Sequence, residues 1–276
     1  MVKRFAHGRK SSDISAPMGL PIKLINYINH CLYSRAEQVE DEFVRDFKLN
    51  ILSNTIIYPE FERIEKYRAS LLNNNSVIET APLGAVTRTG QKRRTISSIA
   101  RTASVNAKYG QLLFRLARIF KPDQIVELGT ALGISTMYLA LGNPGSTVIT
   151  VEGDPQLSKI ASESFSFYGL HSITPINSTF DDAIPMIISG LKNNALVFID
   201  GNHTFEATLR YYRLFSGAPG SFKIMVLDDI NWSYPMMKAW KSITGSASCS
   251  LIIDLFRLGI IFQGQHDNRQ KLRLRY

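Results

Sequence analysis

The chain has 276 residues, 45% of them apolar, a net charge of +9 and 2 cysteines. That is enough for one large domain, or for a domain with an appendage, and no apolar run approaches the roughly 20 residues that span a bilayer. Cys31 and Cys249 lie too far apart for a metal-ligand pattern, which fits a reduced, cytoplasmic setting.

The N-terminus is basic (Lys3, Arg4, Arg9, Lys10), but no small-residue cleavage site follows an apolar core, so it does not read as a signal peptide. Residues 1–18 read as a loose polar tail. From 20 to about 75 the periodicity is helical. One stripe runs through Ile22, Leu24, Ile25, Ile28 and Leu32, and another through Phe61, Ile64, Tyr67, Leu71 and Leu72. The first stripe, behind its basic residues, is compatible with a helix lying on a membrane surface; a stripe of this kind more often caps a core or makes a contact in a homodimer. Residues 76–94 read as a loop broken by Pro82, Gly84 and Gly90. Helices follow at 95–103 and 106–120, the second capped by Ser104 or Asn106 and closed by Lys121-Pro122.

Charge is placed unevenly. Residues 1–120 carry 19 Lys+Arg against 10 Asp+Glu, whereas residues 121–276 carry 13 of each. Within 81–120 stand Arg88, Lys92, Arg93, Arg94, Arg101, Lys108, Arg115 and Arg118 with no acid among them. Such a run could guide an acidic or phosphorylated small-molecule acceptor, or be a solvated helical face. It has no interleaved aromatics to stack on bases, so nucleic acid is not the favoured partner.

From 121 onward strands and helices alternate. Strands are expected near 124–129, 147–152, 172–176, 195–200 and 222–228, with helices near 133–142, 155–168, 181–190, 204–216 and 233–243. Two more apolar runs, 250–255 and 258–262, are separated by Phe256 and Arg257 alone, too little for a helical crossover, so they must pair antiparallel or bend at the sheet edge. The result is an α/β, doubly wound, seven-stranded and mostly parallel sheet. Ligands of such a sheet sit at the carboxyl ends of its strands. Residues 1–94 form a helical extension and 95–276 the α/β domain.

The stretch IVELGTALGIST at 125–136 is the most specific signal. An apolar strand runs into Glu127, then Gly129-x-x-x-Gly133 and a helix; a second strand ends on Glu152. Gly129 lets backbone approach a ligand closely, and Gly133 lets the helix start tightly against the strand. Glu152 is placed to accept hydrogen bonds from two ribose hydroxyls, so the layout suits an adenosine-bearing small molecule. It is not a dinucleotide fingerprint, because Ala131 stands where the second glycine of G-x-G-x-x-G would be.

Two further motifs end at strand tips. LVFIDGNH puts Asp200 at one tip with His203 three residues on, and MVLDDINW puts Asp228 and Asp229 at the next. Three converging carboxylates suit Mg²⁺ or a similar hard cation. Asp200 could instead cap the helix that starts near Thr204. Histidine changes charge in the physiological range, so His203 is the candidate general base for a hydroxyl; it could also be a helix N-terminal residue.

The motif E-x-G-x-x-x-G with its later acid resembles the class I S-adenosylmethionine-dependent methyltransferases. The acids at the strand tips are similar to those of divalent-metal-dependent O-methyltransferases acting on vicinal hydroxyls of catechols or sugars. The resemblance covers about residues 95–245. It implies a Rossmann-like fold, S-adenosyl-L-methionine held by Glu127, Gly129, Gly133, Ser135 and Glu152, and an adenine-side contact from Phe180 and Asp181. It also implies Mg²⁺ on Asp200, Asp228 and Asp229, with His203 as base, and Trp232 fits the same pattern. Two departures stand out. Asn202 and His203 occupy the turn where catechol-type enzymes place a lysine, and Asp-Gly-Asn-His is not the Asn/Asp-Pro-Pro-Tyr of base-modifying N-methyltransferases. The rival readings are a metal-independent methyltransferase acting on nitrogen or carboxylate, a non-catalytic cofactor-binding protein, and a protein whose basic segment binds RNA or a membrane surface.

Overall fold

Strict alternation along the strands decides which side chain goes to which face of the sheet. The computed structural model describes residues 22–33, 42–81, 93–220, 222–245, 251–264 and 270–276. The expected polar tail at 1–18, the breakers Pro82, Gly84 and Gly90, the basic residues Arg88 and Lys92, and Cys249 lie outside them. The N-terminal part comprises α1 (Ile22–Tyr33), α2 (Glu42–Phe47) running into a π-helical turn (Lys48–Leu52), and α3 (Pro59–Leu72). A small hairpin follows, in which β1 (Val77–Glu79) pairs antiparallel with β2 (Arg93–Thr95) inside the stretch expected as loop. Then come α4 (Ile96–Thr102) and α5 (Ala107–Phe120). The Asn106 side chain accepts from Tyr109 N at 3.1 Å and so caps α5; Lys121 closes the helix in a left-handed conformation.

The alternating part runs β3 (Gln124–Leu128), α6 (Ile134–Gly142), β4 (Thr147–Glu152), α7 (Pro155–Phe167), β5 (Ile173–Asn177), α8 (Phe180–Ser189), β6 (Asn194–Ile199), α9 (Phe205–Gly217), β7 (Phe222–Leu227), α10 (Tyr234–Gly245), β8 (Leu251–Asp254), β9 (Gly259–Gln263) and β10 (Gln270–Arg273). Among the described residues the main sheet has 8 strands in the order β10-β8-β9-β7-β6-β3-β4-β5. The expected architecture holds with one addition. β3 to β7 are mutually parallel, and β9 lies antiparallel between β7 and β8. The extra strand β10 pairs parallel with β8. No strand is expected there from the sequence, since within β10 only Leu272 is buried and its neighbours are polar or basic.

Ile125, Leu196, Phe198, Ile224, Val226, Ile253 and Ile260 face one layer with α5 and α6; Val126, Val197, Met225 and Ile261 face the other with α8 to α10. The N-terminal stripe Phe61, Ile64, Tyr67 and Leu71 enters the first of these cores, together with Val44, Phe47 and Ile51. Arg115 is buried there too, donating to Ile51 O at 3.1 Å, so the basic run of 81–120 is not one solvated face. Leu24 and Ile28 of α1 are exposed, whereas His30 on the same helix is buried. His30 Nε2 lies 3.0 Å from Leu274 O and Nδ1 3.4 Å from Asp254 Oδ1. No described helix is long and apolar enough to cross a membrane.

Candidate active site

At the tip of β3 the chain must turn sharply without colliding with β6. Asp200 N donates to Leu128 O at 2.9 Å, which brings the two backbones together. A Cβ on Gly129 would fall far inside van der Waals contact of the Asp200 carbonyl oxygen, and Gly129 has φ +110°, so both space and conformation demand glycine. Ala131 also adopts a left-handed conformation (φ +46°), and its N–H donates to Glu152 Oε2 at 2.8 Å. Glu152 Oε1 accepts from Asp154 N at 2.9 Å. The carboxylate at the tip of β4 thus fixes the glycine loop, and burial raises its pKa. Gly133 (φ +80°) starts α6 with Phe165 pressed against it.

Glu127 is fully buried beneath this loop. Thr136 Oγ1 donates to its Oε2, as does Thr150 Oγ1 at 2.6 Å, and the Ser135 hydroxyl stands nearby. Its other oxygen, Oε1, has no partner of hydrogen-bonding geometry. Burial pushes the carboxyl from its ordinary 4.5 up to about 7, against the hydroxyls that lower it. The neutral form is therefore favoured in the folded state. Stability from this group is present below pH 4.5 and is lost as pH rises towards 7, by about 3 kcal/mol at 1.36 kcal/mol per unit. Glu127→Gln should remove that slope. Urea midpoints taken between pH 4.5 and 7.5 for both proteins check this; parallel profiles would refute it.

The tips of β6 and β7 bring Asp200, His203, Asp228 and Asp229 to the same edge. His203 Nε2 stands 3.6 Å from Asp200 Oδ1. Thr204, not Asp200, caps α9, its hydroxyl accepting from Ala207 N at 3.3 Å. Asp200 is thereby left for the site; burial, then the Asp228 and Asp229 charges, raise its pKa well above the ordinary carboxyl range. Asp228 is buried with both oxygens engaged. Arg257 Nε donates to Oδ1 at 2.9 Å and Nη2 to Oδ2 at 2.7 Å, while Asp229 N also donates to Oδ1 at 2.7 Å. Arg257 Nε lies 3.7 Å from Asp229 Oδ1. Burial opposes the guanidinium charge, but the hydrogen bonds to Asp228 and the three nearby carboxylates outweigh it and raise its pKa.

Phe180 reaches the site and Asp181 does not. The Phe180 ring lies against Gly201, with a ring centroid 5.7 Å from that of Tyr211. Asp181, on the outer face of α8, pairs with Arg210 at 2.9 and 3.0 Å. A cavity of about 370 Å³ is lined by Tyr27, Tyr109, Phe256, Tyr276 and Arg275 among others. The Arg257 guanidinium sits 5.3 Å from the centre of the Tyr109 ring, so one tyrosine borders both cavity and carboxylates.

Residues 126–230 match the methyltransferase-domain family. A catechol O-methyltransferase of Niastella koreensis is 25% identical over 173 residues, 62% of this chain and 73% of that protein. The Homo sapiens transmembrane O-methyltransferase is 35% identical over 81 residues, and the match covers only 28% of each chain. Among solved structures, a Bacillus cereus O-methyltransferase in complex with S-adenosylhomocysteine superimposes with a TM-score of 0.54 over 86% of this chain and 100% of its own, at 16% identity. An O-methyltransferase of tomaymycin synthesis from Streptomyces achromogenes, in complex with S-adenosylmethionine, gives 0.54 over 81% and 98%, at 15% identity. Residues 126–230 carry a methyltransferase domain, on the fold shared by these S-adenosylmethionine-dependent O-methyltransferases. The chain's sequence relatives above are O-methyltransferases.

The methyltransferase's strand tips fit that cofactor. Glu127 Oε1 is a buried acceptor without a donor, which an ammonium group could satisfy. Glu152, at the tip of β4 beside the glycine loop, is the acid that ribose hydroxyls could reach. A divalent cation fits less well. Asp228 has no oxygen free of Arg257, and no group of three or more His, Cys, Asp and Glu among the described residues is placed to hold a metal. Arg257 is the residue that sequence reasoning missed. Its one signal was position, as a charged residue in the short link between two apolar runs.

Proposed function

We propose that this methyltransferase methylates a hydroxyl oxygen of a small acceptor seated in the aromatic-lined cavity, with His203 as the base. The observation that carries the reading is His203 at the tip of β6, its Nε2 turned to Asp200 at 3.6 Å beside the Asp228–Arg257 pair. The cofactor supplies a methyl group already activated on a sulfonium. What is left to the chain is positioning and proton removal. With Nε2 facing Asp200, Nδ1 is the nitrogen left to take the hydroxyl proton, and the Asp200 carboxyl group orients the ring. Tyr27, Tyr109, Phe256 and Tyr276 offer aromatic surface to a planar acceptor, and Arg275 suits an acidic substituent on it. The Mg²⁺ suggested by the resemblance has no step in this scheme, because Arg257 occupies the donor set it would need.

The test uses the full chain, S-adenosylmethionine and a series of mono- and dihydroxylated aromatic acids. It follows S-adenosylhomocysteine release and locates the new methyl by NMR. Methylation on oxygen is expected, and His203→Asn should lower kcat by about 10² to 10⁴ with cofactor affinity unchanged. A methyl found on the carboxylate instead of a hydroxyl, or full turnover in the variant, would overturn the proposal. Cofactor binding with no turnover over the whole series would favour the non-catalytic reading.

A further inference from the structure

We infer that Arg257 is the resident cation of the carboxylate cluster, and that in the intact chain it excludes a divalent metal from Asp200, Asp228 and Asp229. Three carboxylates at neighbouring strand tips cannot all remain charged without compensation. Here compensation comes from within the chain, through a planar fork whose two donors match the two oxygens of Asp228 at 2.9 and 2.7 Å.

The placement is built in rather than left to a free side chain. The turn between β8 and β9 is closed by Leu255 N donating to Leu258 O and Arg257 N donating to Leu255 O, both at 2.9 Å. Phe256, with φ +70°, supplies the left-handed step. The turn is also tied to the loop after β7: Ile230 N donates to Arg257 O at 3.0 Å, and Asn231 Nδ2 to Phe256 O at 2.7 Å. The Tyr109 ring holds the far side of the guanidinium. Backbone, ring and carboxylate together fix the charge against Asp228. A divalent cation would have to strip both donors from Asp228 and then sit beside the displaced arginine, so each cation excludes the other. Arg257 acts as a positioning residue: it holds Asp228 and Asp229 in register and offsets their charge. The inference concerns cation occupancy and holds whichever acceptor is used.

Mn²⁺ uptake by the purified full chain, followed by the loss of the free-ion EPR signal, tests it without any turnover. The wild type should retain no stoichiometric Mn²⁺. Arg257→Gln and Arg257→Ala should each gain one site, about ten- to a hundredfold tighter than any wild-type binding, and Asp228→Asn on either background should abolish it. A role limited to stability would not create a metal site. One Mn²⁺ bound by wild type and lost in Asp228→Asn would overturn the inference, as would folded Arg257 variants that bind no better than wild type. Should both variants fail to fold, the wild-type and Asp228→Asn pair still decides it.

Discussion

Gly129→Ala is expected to destabilise the protein by about 4 kcal/mol, adding roughly equal costs for a left-handed alanine and for overpacking. In a chain of this size that lowers the thermal midpoint by roughly 10 °C. The added methyl would run into the Asp200 carbonyl, which belongs to backbone and cannot swing aside as a side chain could. Relief would require β3 and β6 to separate at the point where Asp200 N bonds Leu128 O. Gly217 provides the internal control, since nothing lies within 4 Å of a Cβ built there. Scanning calorimetry of the two alanine variants should show one large loss and one near-neutral change. A Gly129→Ala protein that melts with the wild type would mean that the strand tips are less closely joined than described.

Glu152→Ala should weaken S-adenosylmethionine binding by about a hundredfold, the worth of two hydrogen bonds to a carboxylate at somewhat over 1 kcal/mol each. Part of the loss is indirect, because the same carboxylate holds the amides of Ala131 and Asp154. S-adenosylhomocysteine should lose affinity by the same factor, since the two ligands share the ribose and differ at the sulfonium. Calorimetric titration of both ligands into wild type and variant makes the comparison. Unchanged affinity for either ligand in the variant would remove Glu152 from the cofactor site.

Much of this was readable beforehand, and the physical reason is locality. The glycines at 129 and 133 and the acids at 127 and 152 announce themselves because one turn and two strand ends impose their demands within a few residues. β4 was placed to the residue, since its apolar run is bounded by a turn on one side and by Glu152 with the capping Asp154 on the other. What escaped was non-local. The pairing of Arg257 with Asp228 joins residues 29 apart through the antiparallel placement of β9, which no short window contains. β10 escaped because Leu272 alone of its residues is buried, among polar or basic neighbours. In α1 the burial of His30 was not foreseen, because its partner Asp254 waits at a strand end far along the chain.

A single phenol carries a last consequence. Tyr67, on α3, donates to Leu132 O in the glycine loop at 2.8 Å and accepts from Ser164 on α7 at 2.8 Å. Three segments therefore share one hinge pin beneath the place where the cofactor would lie. A loosening of α3 is therefore expected to pass as slack into the glycine loop through Tyr67.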